Sequence, residues 1–318
     1  MPALIDRTGE TNINKCGIEM RIVEYNSSKR IVVEFADGSR LRTKYCDFVA
    51  GTARINKRKS RKTSDRVGQI SPNIHGTIMK ILEYEATDDI LVEFQDNYKY
   101  KLKTNYRHFL AGCVQNPYDK TVHGVGFLGE GNYTSRVGKE KLNKNYSVWA
   151  SMMMRCYDPK YHAKEPSYIG CTVCENWHNF QNFAIWYEHN FYQINGSKMQ
   201  LDKDLLIKGN KIYSPETCVF VPQKINLLLT SKISRYLDTP VGVSFSKKRR
   251  KFQPQCRDIN GKARYLGRFD TVEKAFDVYK REKEKVLREV AERYKNDIPE
   301  KLYNALRNYK IEIGDRYE

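Results

Sequence analysis

The residues that ask for a chemical explanation are Asp202, Lys203, Asp204 and Asn226, all inside the stretch from Leu201 to Asn226, LDKDLLIKGNKIYSPETCVFVPQKIN. A buried hairpin has no need of so many closely spaced polar groups. An acid and an amide supply oxygen donors of the kind that hold a divalent cation on a phosphate, and a neighbouring lysine adds a positive charge for the phosphate itself. Positioning them takes a small scaffold. The apolar run from Cys218 to Val221 reads as a strand leading into a short helix that begins near Pro222. The stretch therefore predicts a β-turn-β-helix unit with Asp202 at its front and Asn226 on its helix.

This stretch resembles the phage HNH homing endonucleases at Leu201-Asp202 and from Val221 to Asn226. The likeness extends upstream through Trp149, Arg155-Cys156-Tyr157, Gly170 to Trp177 and Phe180 to Trp186, which are similar to the region preceding the nuclease motif in that family. The resemblance implies metal-dependent DNA cleavage, with magnesium or manganese held by Asp202 and Asn226 and a histidine after the acid taking the proton from water. Lys203 stands where that histidine belongs, and Thr217 where a middle asparagine belongs. A lysine, ordinarily near ~10.4, would have to fall about three units, roughly 4 kcal/mol, to act as a base at neutral pH. Asp202, Asp204 and nearby phosphates favour its charged form instead. Lys203 is therefore expected on the phosphate, and His162, His178 and His189 are the candidates to replace it as base. A degenerate nuclease fold that binds DNA without cutting it is the alternative.

A second set of residues has the chemistry of base and phosphate recognition. Residues 241–279, VGVSFSKKRRKFQPQCRDINGKARYLGRFDTVEKAFDVY, predict three short strands parted by Lys247-Lys248-Arg249-Arg250 and by the tight-turn pair Asn260-Gly261. A helix follows, capped by Asp270 with Glu273 as its capping-box partner, and Ala275, Phe276, Val278 and Tyr279 give it a face for the sheet. Gly242-Val243, Lys251-Phe252, Arg257-Asp258, Tyr265-Leu266-Gly267, Phe269, Thr271 and Ala275 fall in the order and spacing of the plant ethylene-response-factor (Apetala-two) DNA-binding domain, which this segment resembles. The resemblance implies a sheet laid in the major groove of double-stranded DNA, with Arg257 reading bases and with Arg264 and Tyr265 as the basic and aromatic pair beside it. Ser244 and Ser246 stand where the plant members have Arg. An Arg fork on guanine contributes ~1–3 kcal/mol of discrimination. Lys247, Lys248, Arg249 and Arg250 are expected on phosphates, adding affinity without sequence information; a solvated hairpin tip is the alternative.

Composition agrees with a polyanionic partner. The 318 residues carry 56 Lys and Arg against 38 Asp and Glu, a net charge of +18 spread along the chain. No run approaches the ~18 apolar residues that a spanning helix needs, and the N-terminus MPALIDRTGE lacks a signal pattern. No membrane association is expected, and the location expected is the cytoplasm, that of a host bacterial cell if the chain is phage-encoded. The eight cysteines read as thiols or metal ligands in a reducing compartment. Cys171 and Cys174, completed by Cys156 and Cys218, could form a structural zinc site; free thiols in a core are the alternative.

The fold class expected is α+β multidomain: two small N-terminal β-barrels, an HNH-like ββα domain, and a three-stranded sheet plus helix. Residues 17–56 and 76–117 are an internal repeat. Gly17, Met20, Ile22, Glu24 and Tyr25 correspond to Gly76, Met79, Ile81, Glu83 and Tyr84, and Ile31 to Phe35 corresponds to Ile90 to Phe94. Each copy is long enough for a five-strand barrel of Tudor- or KOW-like pattern. Arg40, Arg42, Lys44, Lys99, Lys101 and Lys103 could meet nucleic acid, or the barrels could bind a protein partner. The boundaries expected are 1–56 and 76–118 for the barrels, 57–75 for a basic linker (Asn56 to Lys62 at its core), 119–145 for a Gly-rich connector laid on the next domain, 146–235 for the ββα domain, 236–297 for the sheet and helix, and 298–318 for a final helix and tail.

Overall fold

A computed structural model describes residues 6–54, 66–138, 141–194, 196–229 and 239–315; the basic run at 56–62 lies outside them. The architecture is mixed α+β, with several small sheets and eight α-helices among the described residues. The chain divides into two units, Met1–Val67 and Gly68–Glu318.

The first unit is one copy of the repeat. Its strands β1 (Thr11–Ile13), β2 (Glu19–Ser27), β3 (Arg30–Phe35) and β4 (Arg40–Thr43) form an antiparallel sheet in the order β1-β2-β3-β4, followed by helix α1 (Tyr45–Val49). Met20, Ile22, Ile31, Val33 and Phe35, the alternating apolar positions, make its core with Phe48. Among the described residues four strands are present where a five-strand barrel is expected, and α1 after them packs Phe48 inward. Asn14 fixes the β1–β2 turn: its Oδ1 accepts from Cys16 N and Ile18 N. Gly51 adopts φ 65°, and a Cβ there would stand 3.1 Å from the Ile13 carbonyl, so glycine is required.

The second unit opens with the other copy: β5 (Ile70–Pro72), β6 (Ile78–Tyr84), β7 (Ile90–Phe94), β8 (Lys101–Thr104) and α2 (Tyr106–Leu110), again in sheet order β5-β6-β7-β8. Each copy thus begins earlier than its repeated motif, and β5 falls inside the span expected as linker. Three of the cations considered for nucleic acid are neutralised on these sheets: Arg40 by Glu34 at 2.7 Å, Lys101 by Glu93 at 3.2 Å and Lys103 by Asp89 at 3.1 Å.

The Gly-rich connector lies on the following layer, and its glycines are there for close approach. A Cβ at Gly126 would lie 2.8 Å from the Trp149 ring, and Gly129 and Gly131 abut the side chains of Asn179 and Gln181. The connector ends in the short strands β9 (Arg136–Val137) and β10 (Lys141–Leu142). Helix α3 (Lys144–Tyr157), the single turn α4 (Pro159–His162), strand β11 (Thr172–Val173) and helix α5 (Phe180–Asn190) follow. Trp149, Trp177, Phe180 and Phe183 are fully buried among them.

Strand β12 (Met199–Asp202) then pairs antiparallel with β14 (Val219–Pro222), β13 (Ile212–Tyr213) pairs parallel with β11, and α6 (Gln223–Leu229) completes a ββα unit. Every residue of β14 is buried, because the hairpin separates two cores. Leu201, Cys218 and Phe220 join the aromatic cluster of α3 and α5. Val219, Val221, Ile225 and Leu228 join the C-terminal elements.

Those elements are β15 (Val243–Ser246), β16 (Lys251–Arg257), β17 (Ala263–Tyr265), α7 (Val272–Tyr294) and α8 (Glu300–Asn308), with the sheet ordered β15-β16-β17. Thr271, rather than Asp270, caps α7, its side chain accepting from Lys274 N; Asp270 is instead paired with Lys251. Val286, Leu287 and Val290 of α7 meet Leu302 and Leu306 of α8 in the same core as the ββα unit. The ββα unit and the C-terminal sheet and helices therefore share one interior, and the buried Lys283 donates to the Leu228 carbonyl across it.

Candidate functional site

Asp202 ends β12, and two local hydrogen bonds fix its carboxylate: Oδ1 accepts from Asp204 N at 3.0 Å and from Leu205 N at 2.8 Å. Burial, and then the charge of Asp204, push the Asp202 carboxyl up to about 6. Asn226 stands on α6, where its Nδ2 donates to Gln200 Oε1 at 2.9 Å. Asp202, Lys203, Asp204, Gln200 and Asn226 all line one cleft of about 770 Å³. Asp202 and Asn226, the two expected metal ligands, thus both line this cleft.

Lys203 is placed differently from a solvent-facing clamp. Its side chain is 5% exposed, and its ammonium lies 3.2 Å from Asp204 Oδ2 and 6.0 Å from the ring centres of both Tyr168 and Tyr213. Thr217 serves the turn: its Oγ1 donates to the Ile212 carbonyl at 2.7 Å and accepts from Ser214 N at 3.2 Å. Asn210 holds the same loop, donating to the carbonyls of Lys203 and Ile212. None of the three histidines considered as bases lines the cleft. His162, His178 and His189 each turn a ring nitrogen to a backbone carbonyl, those of Arg155, Val173 and Ile185.

Sequence reasoning missed several lining residues. Arg155 comes from α3, Tyr168 from the segment before β11, and Tyr309, Gly314 and Asp315 from the C-terminal tail. Burial, then Asp315, Asp204 and Asp202, raises the Tyr309 hydroxyl far above its usual range. Lys208 ties the tail to the hairpin loop, bonding the Lys310 carbonyl at 3.0 Å and Asp315 at 2.6 Å. Arg155 alone had a signal, inside the Arg155-Cys156-Tyr157 triplet; the tail lies about a hundred residues away in the chain.

The cleft offers the donor chemistry of a hard divalent cation in the oxygens of Asp202, Asp204 and Asn226, with Asp204 already meeting the Lys203 ammonium at 3.2 Å. No group of three or more His, Cys, Asp or Glu is placed to hold a metal among the described residues, so water and phosphate oxygens would complete such a shell. Cys156, Cys171 and Cys218 are buried in the aromatic core, with Cys174 packed at its edge. Burial pushes the Cys156 and Cys218 thiols up to about 12, which keeps them protonated at neutral pH.

The C-terminal sheet presents a second surface. Pairing sets its faces: Val243 with Pro254 and Cys256 with Arg264 lie toward α7, whereas Ser244 with Gln253, Ser246 with Lys251, Gln255 with Tyr265 and Arg257 with Ala263 lie on the open face. Arg257 and Tyr265 are exposed there together. Arg264 is on the opposite side, its Nη1 3.1 Å from Glu282 Oε1 of α7. Lys247, Lys248, Arg249 and Arg250 form the exposed β15–β16 turn, and among the described residues none of them makes an ion pair.

No protein-family model matches this sequence, and no curated protein or solved structure matches it either. No helix among the described residues is long and apolar enough to cross a membrane.

Proposed function

We propose that this chain is a site-preferring DNA-binding protein of the phage HNH type, whose C-terminal sheet selects the site and whose ββα cleft receives the backbone. The observation that carries this reading is the open sheet face, where Arg257 and Tyr265 stand exposed beside the four exposed cations of the β15–β16 turn. Such a face offers direct readout from the strand and phosphate contacts from its rim. In the cleft, Asp202, Asp204 and Asn226 would hold magnesium or manganese, which supplies Lewis-acid activation of the scissile phosphate when bound. The protein's own groups orient that site: Asp204 N and Leu205 N fix Asp202, and Gln200 fixes Asn226.

A second reading, binding without cleavage as in a regulator or a phage counter-defence protein, is favoured by the histidine-free cleft and by the burial of Lys203. Supercoiled plasmid incubated with the protein and magnesium or manganese, beside Asp202→Ala, separates the two. Metal-dependent nicking lost in the variant supports the nuclease; binding without nicking supports the regulator. A third, a protein-interaction scaffold built on the N-terminal sheets read as small barrels, requires DNA affinity to be weak and insensitive to salt.

A further inference from the structure

We propose that Arg155, and not Lys203, is the cation that binds the anion in the cleft, and that the anion is a phosphodiester oxygen pair of the DNA backbone. The identity of that anion rests on the DNA-binding function proposed above. Lys203 is poorly placed for the task. Its ammonium is already engaged by Asp204 at 3.2 Å with only 5% of the side chain exposed, so a phosphate reaching it would have to displace a carboxylate.

Arg155 has the opposite surroundings. It lines the same cleft as Asp202 and Asn226. Its guanidinium lies 5.2 Å from the Tyr213 ring centre and 5.7 Å from that of Tyr168. Its Nε donates to the Ser151 carbonyl at 3.2 Å, and the Tyr168 hydroxyl is a further partner. Among the described residues no carboxylate stands within ion-pair range of it. A guanidinium carries five N–H donors in a rigid fork, and these contacts leave donors over for a bidentate pair of oxygens. A half-buried cation lacking a counter-ion is costly to keep. An anionic ligand supplies the missing charge, and the two tyrosine rings hold the fork in a fixed plane before it arrives. Lys203, whose ammonium lies against the same two rings, becomes a positioning residue that holds Asp204 and the rings in place.

The test uses the full chain, its Arg155→Gln and Arg155→Lys variants, and two probes in metal-free buffer: thymidine 3′,5′-bisphosphate, a minimal backbone fragment, and a labelled duplex titrated with salt. Wild type is expected to bind the bisphosphate, with Arg155→Gln weakened tenfold or more, the loss expected for charged hydrogen bonds. The slope of log affinity for duplex against log salt should become shallower by about 1. Should Arg155→Gln fail to fold, Arg155→Lys keeps the charge without the fork and is still expected to lose roughly tenfold in bisphosphate affinity. Absence of wild-type bisphosphate binding, or unchanged affinity in the variants, overturns the proposal. If duplex binding persists with the same slope in Arg155→Gln, which removes the charge, the DNA-binding function stands and the Arg155 site falls. If the bisphosphate binds in an Arg155-dependent way but duplex does not, the anion site stands and the DNA-binding function falls.

Discussion

Replacing Asp202 by Asn should stabilise the metal-free protein at neutral pH. The variant keeps an Oδ1 that can accept from Asp204 N and Leu205 N, the two bonds that fix the native side chain, and removes only the charge. In the folded protein burial and Asp204 raise the Asp202 carboxyl from 3.8 to about 6. A shift of about two units, at ~1.4 kcal/mol each, makes the ionised form unfavourable by roughly 3 kcal/mol at most. The folded state holds this proton more tightly than the unfolded chain, so the stabilisation is full below the unfolded value and is lost as pH rises through about 6. The stability difference between Asp202→Asn and wild type should therefore be small in acid and widen up to neutrality. Urea unfolding of both proteins in chelator across that range measures it. Magnesium or manganese should then raise the stability of wild type and leave the variant unmoved. A variant less stable than wild type at neutral pH, or a difference flat with pH, would refute the argument that a repelled, buried acid waits here for a cation.

Arg257→Ala should weaken binding to a preferred site by roughly tenfold and relax the choice of base at one position, read from selection on a randomised duplex pool, since a bidentate contact contributes ~1–3 kcal/mol. Changing Lys247, Lys248, Arg249 and Arg250 together to Ala should weaken all duplexes alike and lower the salt slope by up to about 4, measured by anisotropy. Gly126→Ala should lower stability by ~1–3 kcal/mol in urea unfolding, because its Cβ would press 2.8 Å from the Trp149 ring. Thr217→Val should cost ~1–3 kcal/mol by leaving the turn unclasped, with duplex affinity kept.

Where the determinants were local, the sequence disclosed them. The repeat was legible because Met20, Ile22, Ile31 and Val33 and their counterparts Met79, Ile81, Ile90 and Val92 alternate as strand cores must. The ββα order of Asp202 and Asn226 was legible from the buried run at Val219–Pro222. Short pieces escaped: three-residue strands such as Ile70–Pro72 and the five-residue helix Tyr45–Val49 are too brief to show a period. Arg264 escaped because a strand reverses its side-chain direction at every residue, and register alone separates it from Arg257 and Tyr265. The cleft's far wall escaped for another reason. Tyr309 and Asp315 reach it only because α7 and α8 share a core with α6, and no local pattern encodes contacts across that much chain.

The most direct measurement is a titration of the purified chain into a labelled random-sequence duplex at increasing salt. Tight binding in dilute buffer is expected, weakening with a slope of about −0.9 for each engaged phosphate, hence about −4.5 if the four turn cations and Arg155 all take part. A chain that leaves the duplex unbound even in dilute buffer, or binds it with no dependence on salt, contradicts the assignment of this surface to DNA.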